Sequence, residues 1–467
     1  MSALTRIFNR SLDEHVVMRW AVIAVILLLS LIFGLFTTRY LALFDLGLAA
    51  AIFLFANIEL GLVLMLIVSL SLPISIATNT QAVVPISMIV LVLLLIGWLF
   101  RMLIRRSFRL APSRVNLPLG IFTLAATISF VGGGLPWILL AAHAPLTAQL
   151  GGWAIFVLSC MGCLLAGNQI KQLKWLKVLV TVFLSYGVLA VVGRLTPAVG
   201  ALANQLILFT DAGSLFWLWI VALAGGQAFF NKSMQLYGRV ALGALALLTV
   251  LVIYLTSQSW LSGWLPGLGV LLALLVLRSW RISVLVMGVA LALFLVLKGS
   301  ALAGLVSENQ YSIDTRLAAM QILLGRVLPA NPLIGLGFAN YYHYAELYPI
   351  LGWYVKFNSH NNYVDIVMQM GVIGFVAFAW LATALTRLGL QLRSRVGDGF
   401  ARGYVFACIA GLAGMLLAGA LGDWFLPFVY NIGLSGTRMS ILGWIFLGGL
   451  ISIEQIAKRQ SETVTGD

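Results

Sequence analysis

The chain has 467 residues, of which 62% are apolar and only 9% charged. Such a composition cannot clothe a water-soluble core in polar surface, so it excludes a soluble protein of several domains despite the length. The net charge of +14 does not point to nucleic acid, because the basic residues fall in short clusters between apolar stretches long enough to cross a hydrocarbon core.

In chain order, fourteen spans are predicted near 18–37, 41–56, 59–77, 81–100, 119–140, 147–169, 176–192, 214–231, 240–256, 260–277, 282–300, 361–385, 401–420 and 437–455. The second and ninth are short, and reading them as tilted or re-entrant gives twelve. The first stretch is followed by no small-residue cleavage site and reads as a retained helix. The predicted fold is all-α: a polytopic transmembrane helix bundle with a large, partly helical periplasmic loop. It divides into an N-terminal bundle (1–300), the loop (301–360), and C-terminal helices with a short cytoplasmic tail (361–467).

Orientation follows from charge. With the N-terminus inside, 21 of the 28 basic residues fall on the cytoplasmic side, including Arg101, Arg105, Arg106, Arg109, Arg114, Arg387, Arg395 and Lys458. Only Arg39, Arg194, Lys298, Arg316, Arg326, Lys356 and Arg438 fall outside. This asymmetry predicts a plasma (inner) membrane protein with both termini cytoplasmic and the 301–360 loop periplasmic or extracellular. Cys160, Cys163 and Cys408 lie inside apolar spans and read as buried filler. Gly132, Gly133 and Gly134, and the stripe Gly411, Gly414, Gly419 and Gly422, permit close helix approach.

The 301–360 loop is far longer than a connection requires. Leu317, Met320, Leu324 and Leu328 mark the apolar face of a helix, with Asp314 or Thr315 as its cap and Arg316 in its first turn. Pro329 and Pro332 end that helix, and Gly335-x-Gly337 forms a tight turn. The helix is expected along the outer membrane boundary, with Tyr341, Tyr342, Tyr344, Tyr348, Trp353 and Tyr354 at headgroup level.

Arginines on the cation-poor side call for a reason other than topology. The guanidinium fork of Arg316 suits phosphate or pyrophosphate oxygens, and Arg194 and Arg438 can join it. Arg326 faces elsewhere and reads as loop structure. In the segment SHNNY, Ser359 can cap the next helix, leaving His360 near a positive helix end that favours neutral imidazole, a suitable general base. His15, His143 and His343 have no metal-ligand spacing with it. Asp423 can orient the histidine, hold an arginine, or pair with Arg438. Asp365, near the membrane boundary, is costly unless paired.

These residues resemble the O-antigen ligase and Wzy-type polymerase superfamily. His360 and Asn361, nine further residues, then Gly371 and Gly374 match the family's late signature. Arg316 and the Pro332, Gly335, Gly337 turn match its periplasmic helix and following turn. Met320 departs from the tryptophan common soon after the arginine. The resemblance covers about residues 312–378. It implies a GT-C-like glycosyltransferase that moves a glycan from undecaprenyl pyrophosphate to an acceptor hydroxyl on a glycan, lipid or protein, with membrane lipids as surroundings and no nucleic-acid partner. His360 and Arg316 would be catalytic, and Arg194, Arg438, Asn361 and Asp423 would contact substrate. No metal or other cofactor is implied. A polymerase of lipid-linked repeat units is the near alternative, and an inorganic-carbon transporter the distant one. Asp45 and Gln227, with Asn57 between two spans, are polar exceptions that a transport path could use.

Overall fold

The computed structural model describes residues 20, 23–25, 57–77, 83–207, 213–281, 283–285, 288 and 310–465. The spans predicted near 18–37, 41–56 and 282–300 lie mostly or wholly outside these residues, as do Asp45, Arg39, Lys298 and the first part of the long loop. The other eleven predicted spans each fall on an apolar helix.

These helices are α1 (Ile58–Ser71), α2 (Ile86–Ile104), α3 (Asn116–Gly132), α4 (Leu146–Gln169) and α5 (Leu173–Leu195). A short α6 (Pro197–Leu206), not foreseen from the sequence, is followed by α7 (Ser214–Phe230), α8 (Leu236–Thr256) and α9 (Leu261–Arg278). Helix α10 (310–322) and the short α11 (Asn340–Ala345) belong to the long loop. Then come α12 (Asn362–Arg395), α13 (Phe400–Leu421) and α14 (Thr437–Thr465). Eight of the described helices are long and apolar enough to span a bilayer. The protein is a multi-pass, largely helical membrane bundle with further helical segments outside the spans.

Two predicted spans stop early for local reasons. The one expected over 59–77 ends at Ser71, because Pro73 breaks it and Ser75–Ala77 (β1) pairs antiparallel with Val83–Pro85 (β2). The one expected over 119–140 ends at Gly132, where the Trp137 indole donates to the Gly132 carbonyl at 2.8 Å.

Helix α7 is apolar all round, and it is almost entirely buried, with Trp217 and Trp219 each 1% exposed. The glycine stripe on α13 makes room around it: a methyl at Gly411 would lie 2.6 Å from the Trp219 ring, and one at Gly414 would lie 2.3 Å from Val270 of α9. Small residues here replace the hydrophobic drive that lipid cannot supply between helices. By contrast, Leu247, Leu251 and Leu255 of α8 point outward, as a lipid-facing surface requires.

Helix α12 is two helices joined at a break. Gly371 has φ 67° and ψ −168°, a conformation open almost only to glycine. The turn from Pro332 to Gly337 inserts at this break and bonds to both sides of it. Leu336 N donates to Met368 O at 2.9 Å and Gly337 N to Gln369 O at 3.1 Å. Val372 N donates to Pro332 O at 2.9 Å and Ile373 N to Leu333 O at 3.1 Å. Groups freed by breaking a helix are thus satisfied by the loop. Gly335 and Gly337 take positive φ of 75° and 81° in this turn, as expected. The fit is tight enough that a methyl on Gly337 would lie 2.2 Å from the Gly133 backbone. The buried Asn340 side chain closes the seam, accepting from Ala144 N at 2.9 Å and donating to Gly133 O at 2.8 Å.

Candidate active site

The site forms where α13 ends. Its last carbonyls have no helical partner, and two candidate residues supply donors. Arg316 Nη1 donates to Leu421 O at 3.1 Å, and Asn361 Nδ2 donates to Ala420 O at 3.1 Å. Cations and donors are favoured at this negative helix end. The chain then turns through Gly422 into the buried Asp423.

Helix α10 carries Arg316 inward, and of its predicted apolar stripe Met320 and Leu328 pack on the core. Ala319, Leu323 and Val327 are buried, whereas Leu317 and Leu324 are exposed. The helix already runs from residue 310, so neither Asp314 nor Thr315 caps it, and the Thr315 hydroxyl donates back to Tyr311 O at 2.7 Å. It closes in a π turn, Leu323–Val327, and a 3-10 turn, Leu328–Ala330, at the proline-containing end. Of the aromatic residues expected at headgroup level, Trp353 and Tyr354 are exposed. Tyr341 and Tyr344 are fully buried instead, because α11 folds into the bundle and the Tyr341 hydroxyl donates to Asp365 Oδ1 at 2.5 Å.

The cap of α12 also differs from expectation. Asn361, not Ser359, is the N-cap, its side chain accepting from Tyr363 N at 2.9 Å and Val364 N at 3.2 Å. The Ser359 hydroxyl accepts from Asn361 N at 3.0 Å and lies 2.7 Å from Asp365 Oδ1. This local turn holds His360 at φ 48°, in the left-handed region that costs an ordinary residue about 1–2 kcal/mol. The Asn361 amide thus caps α12 with its oxygen and bonds the end of α13 with its nitrogen, which leaves one amide hydrogen for a substrate oxygen.

His360 Nδ1 lies 3.2 Å from Asn431 Nδ2, and that same amide nitrogen donates to Asp423 Oδ1 at 2.6 Å. Asp423 Oδ2 accepts from Phe428 N at 2.8 Å. An amide nitrogen only donates, so Nδ1 is the acceptor and the neutral ring carries its proton on Nε2. Burial, and then the Arg316 charge, hold the His360 pKa below the ordinary imidazole value. The ring is thus kept neutral. Burial raises the Asp423 carboxyl, offset by its bonds from Phe428 and Asn431. Burial lowers Arg316, and the Asp423 charge opposes that shift. The four side chains Arg316, His360, Asp423 and Asn431 therefore form one electrostatic unit drawn from three distant stretches of chain.

Two further candidates lie elsewhere. Arg438 is 2% exposed and binds Leu72 O, Ile74 O at 3.1 Å and Ser75 Oγ at 3.0 Å. It clamps the end of α1 to the ribbon; the anticipated pairing with Asp423 is not formed. Arg194, at the end of α5, donates to Thr256 Oγ1 at 2.9 Å and sits 5.0 Å from the Trp217 ring centre. Arg326 stands in the π turn, as loop structure. Asp365 is fully buried; its Oδ1 accepts from the Tyr341 and Ser359 hydroxyls, while its Oδ2 has no hydrogen-bond partner among the described residues.

Asn431 is the residue the sequence reading missed. It lies in the segment GDWFLPFVYNIGLSGTRM that drew notice for Asp423, and a lone amide among apolar residues there was the available signal. His343 Nε2 is 3.1 Å from the Tyr430 hydroxyl, and Tyr342 stacks on Tyr430 at 4.7 Å, so α11 holds the segment carrying Asn431. Among the described residues, no three His, Cys, Asp or Glu side chains converge as a metal site.

Residues 242–379 match the family model described as O-antigen ligase. That stretch of the chain is similar to O-antigen ligases. The match takes in α8, α9, Arg316, the inserted turn, His360 and the Gly371 break. Asp423 and Asn431 lie beyond it. No curated protein matches the chain.

Proposed function

We propose that this protein transfers a glycan from a polyprenyl pyrophosphate, of the undecaprenyl class, to an acceptor hydroxyl, with ligation favoured over polymerisation. The observation that carries the reading is the convergence of a neutral, half-buried His360 with the Arg316 charge inside a stretch similar to O-antigen ligases. The charge bias of the loops supports placing this end of the bundle outside the cell.

In this reaction the acceptor oxygen bonds to the anomeric carbon as the bond from that carbon to the pyrophosphate oxygen breaks. The hydroxyl proton passes to His360. Its lone pair at Nδ1 faces the Asn431 amide, so the hydroxyl displaces that amide on entering, a rearrangement common when an apo site fills. Arg316 takes the charge that develops on the leaving pyrophosphate, and Arg194, at the outer end of α5, is the candidate for a second phosphate. Attack opposite the leaving group inverts the anomeric centre.

Donor binding and single-turnover transfer by purified variants test this. His360→Ala should keep donor affinity and lose about 10²- to 10⁴-fold in rate. Arg316→Lys keeps the charge but not the fork, and should weaken both donor binding and turnover. Near-normal transfer by His360→Ala would remove the base from the mechanism. A product ladder in place of a single added block would turn the reading toward polymerisation.

A further inference from the structure

At the end of the bundle opposite His360, a cavity of about 680 Å³ opens between α12, α14 and the segment before α3. Its chemistry is graded. Trp380, Ala384 and Leu388 line one part, while Arg387, Arg395, Arg114 and Lys458 line the other. Trp380 to Arg395 is fifteen helical steps, a length of about 22 Å. That is about half of a bilayer with its headgroups, roughly 40–45 Å thick. An apolar length ending in cations is the complement of one lipid in one leaflet.

A carboxylate makes the polar part more specific. Glu454 also lines the cavity and is only 8% exposed. Its Oε1 is bound by Lys458 Nζ at 2.9 Å, but its buried Oε2 has no hydrogen-bond partner among the described residues. Gln455 Nε2 and Lys458 Nζ both donate to Pro112 O, at 2.8 and 3.3 Å, so this wall is fixed. A buried carboxylate oxygen with no donor is costly and calls for one. Arginines suited to phosphate oxygens, beside a carboxylate oxygen that lacks a donor, match the chemistry of a phosphodiester followed by a hydrogen-bonding head.

We infer that this cavity binds a phospholipid whose headgroup carries a hydrogen-bond donor, with phosphate on Arg387, Arg395 and Arg114, the donor on Glu454, and an acyl chain along Trp380 and Leu388. Basic pockets between helices are suited to such headgroups, each arginine near the surface contributing about 1 kcal/mol.

Delipidated full-length protein in detergent, titrated with dioleoyl phosphatidylethanolamine or its choline analogue, tests this by native mass spectrometry and thermal unfolding. The two lipids differ only in N-methylation, which removes the donor. The ethanolamine lipid should bind more tightly and raise the unfolding temperature further. Glu454→Gln should erase most of that preference. Arg387→Gln and Arg395→Gln should each weaken both lipids about fivefold, and as exposed residues their loss leaves folding intact. Water-soluble glycerophosphoethanolamine and inorganic phosphate should stabilise little, because they leave the apolar half empty. Equal binding of the two lipids, or full stabilisation by inorganic phosphate, would overturn the proposal. So would unchanged affinity in the arginine variants.

Discussion

The insertion of the Pro332–Gly337 turn into the break of α12 gives a sharp test in Gly371→Ala. The native φ of 67° with ψ −168° is one that alanine adopts only at a cost of about 1–3 kcal/mol. The added methyl would lie 2.2 Å from Leu333 O, a backbone atom that cannot rotate away. The turn must withdraw, and with it the four hydrogen bonds that cross the break, each worth about 1 kcal/mol. Allowing for partial retention, the loss is on the order of 3–6 kcal/mol. Since α12 begins just beyond His360, displacement of its first segment should also cost transfer activity. Reversible unfolding in mixed micelles with a denaturing detergent, alongside single-turnover transfer, measures both. Gly120→Ala is the control: a methyl there meets nothing within 4 Å, and a helical glycine replaced by alanine should gain about 0.5–1 kcal/mol. A Gly371→Ala protein within about 1 kcal/mol of the parent and fully active would refute the inserted-turn reasoning.

The pH dependence of turnover at saturating donor should show an acid limb below the ordinary imidazole value of 6.5, because only neutral His360 accepts a proton and its pKa is lowered. Arg316→Gln removes a positive neighbour, so the residual activity should show that limb moved upward; a limb that stays or moves down breaks the proposed coupling. Asn361→Ala should lower stability by about 0.5–2 kcal/mol, and Asn361→Asp, which keeps the cap, should recover most of it. Loss of donor affinity in a stable Asn361→Asp protein would show that the amide also serves the substrate. Arg438→Met strands the Leu72 and Ile74 carbonyls and should cost on the order of 3 kcal/mol, with donor KM unchanged. A stable variant with a raised donor KM would show that the guanidinium serves the donor instead.

Hydropathy and a few small residues were enough to read the helices, because a bilayer forces every backbone group into local pairing and so writes each span as a continuous apolar run. The eleven described apolar helices, eight of them long enough to span, the glycine stripe of α13 and the Gly335-x-Gly337 turn were all legible in that way. Arg316 stood out as a candidate by its place on a cation-poor side, and His360 by its place at a helix start. Their contacts were not, for hydrogen bonds between positions 105 and 71 apart leave no periodicity. Asn431 is an ordinary amide until tertiary packing sets it between His360 and Asp423. Arg438 is indistinguishable in sequence from Arg316, and only the fold shows it turned toward carbonyls of α1. The face of α10 that the bundle covers was not legible, because a helix in contact with both lipid and protein is apolar on two sides, and composition alone does not say which one the bundle covers. The cap of α12 moved from Ser359 to Asn361 for a similar reason: both side chains can cap, and the left-handed turn at His360 decided between them.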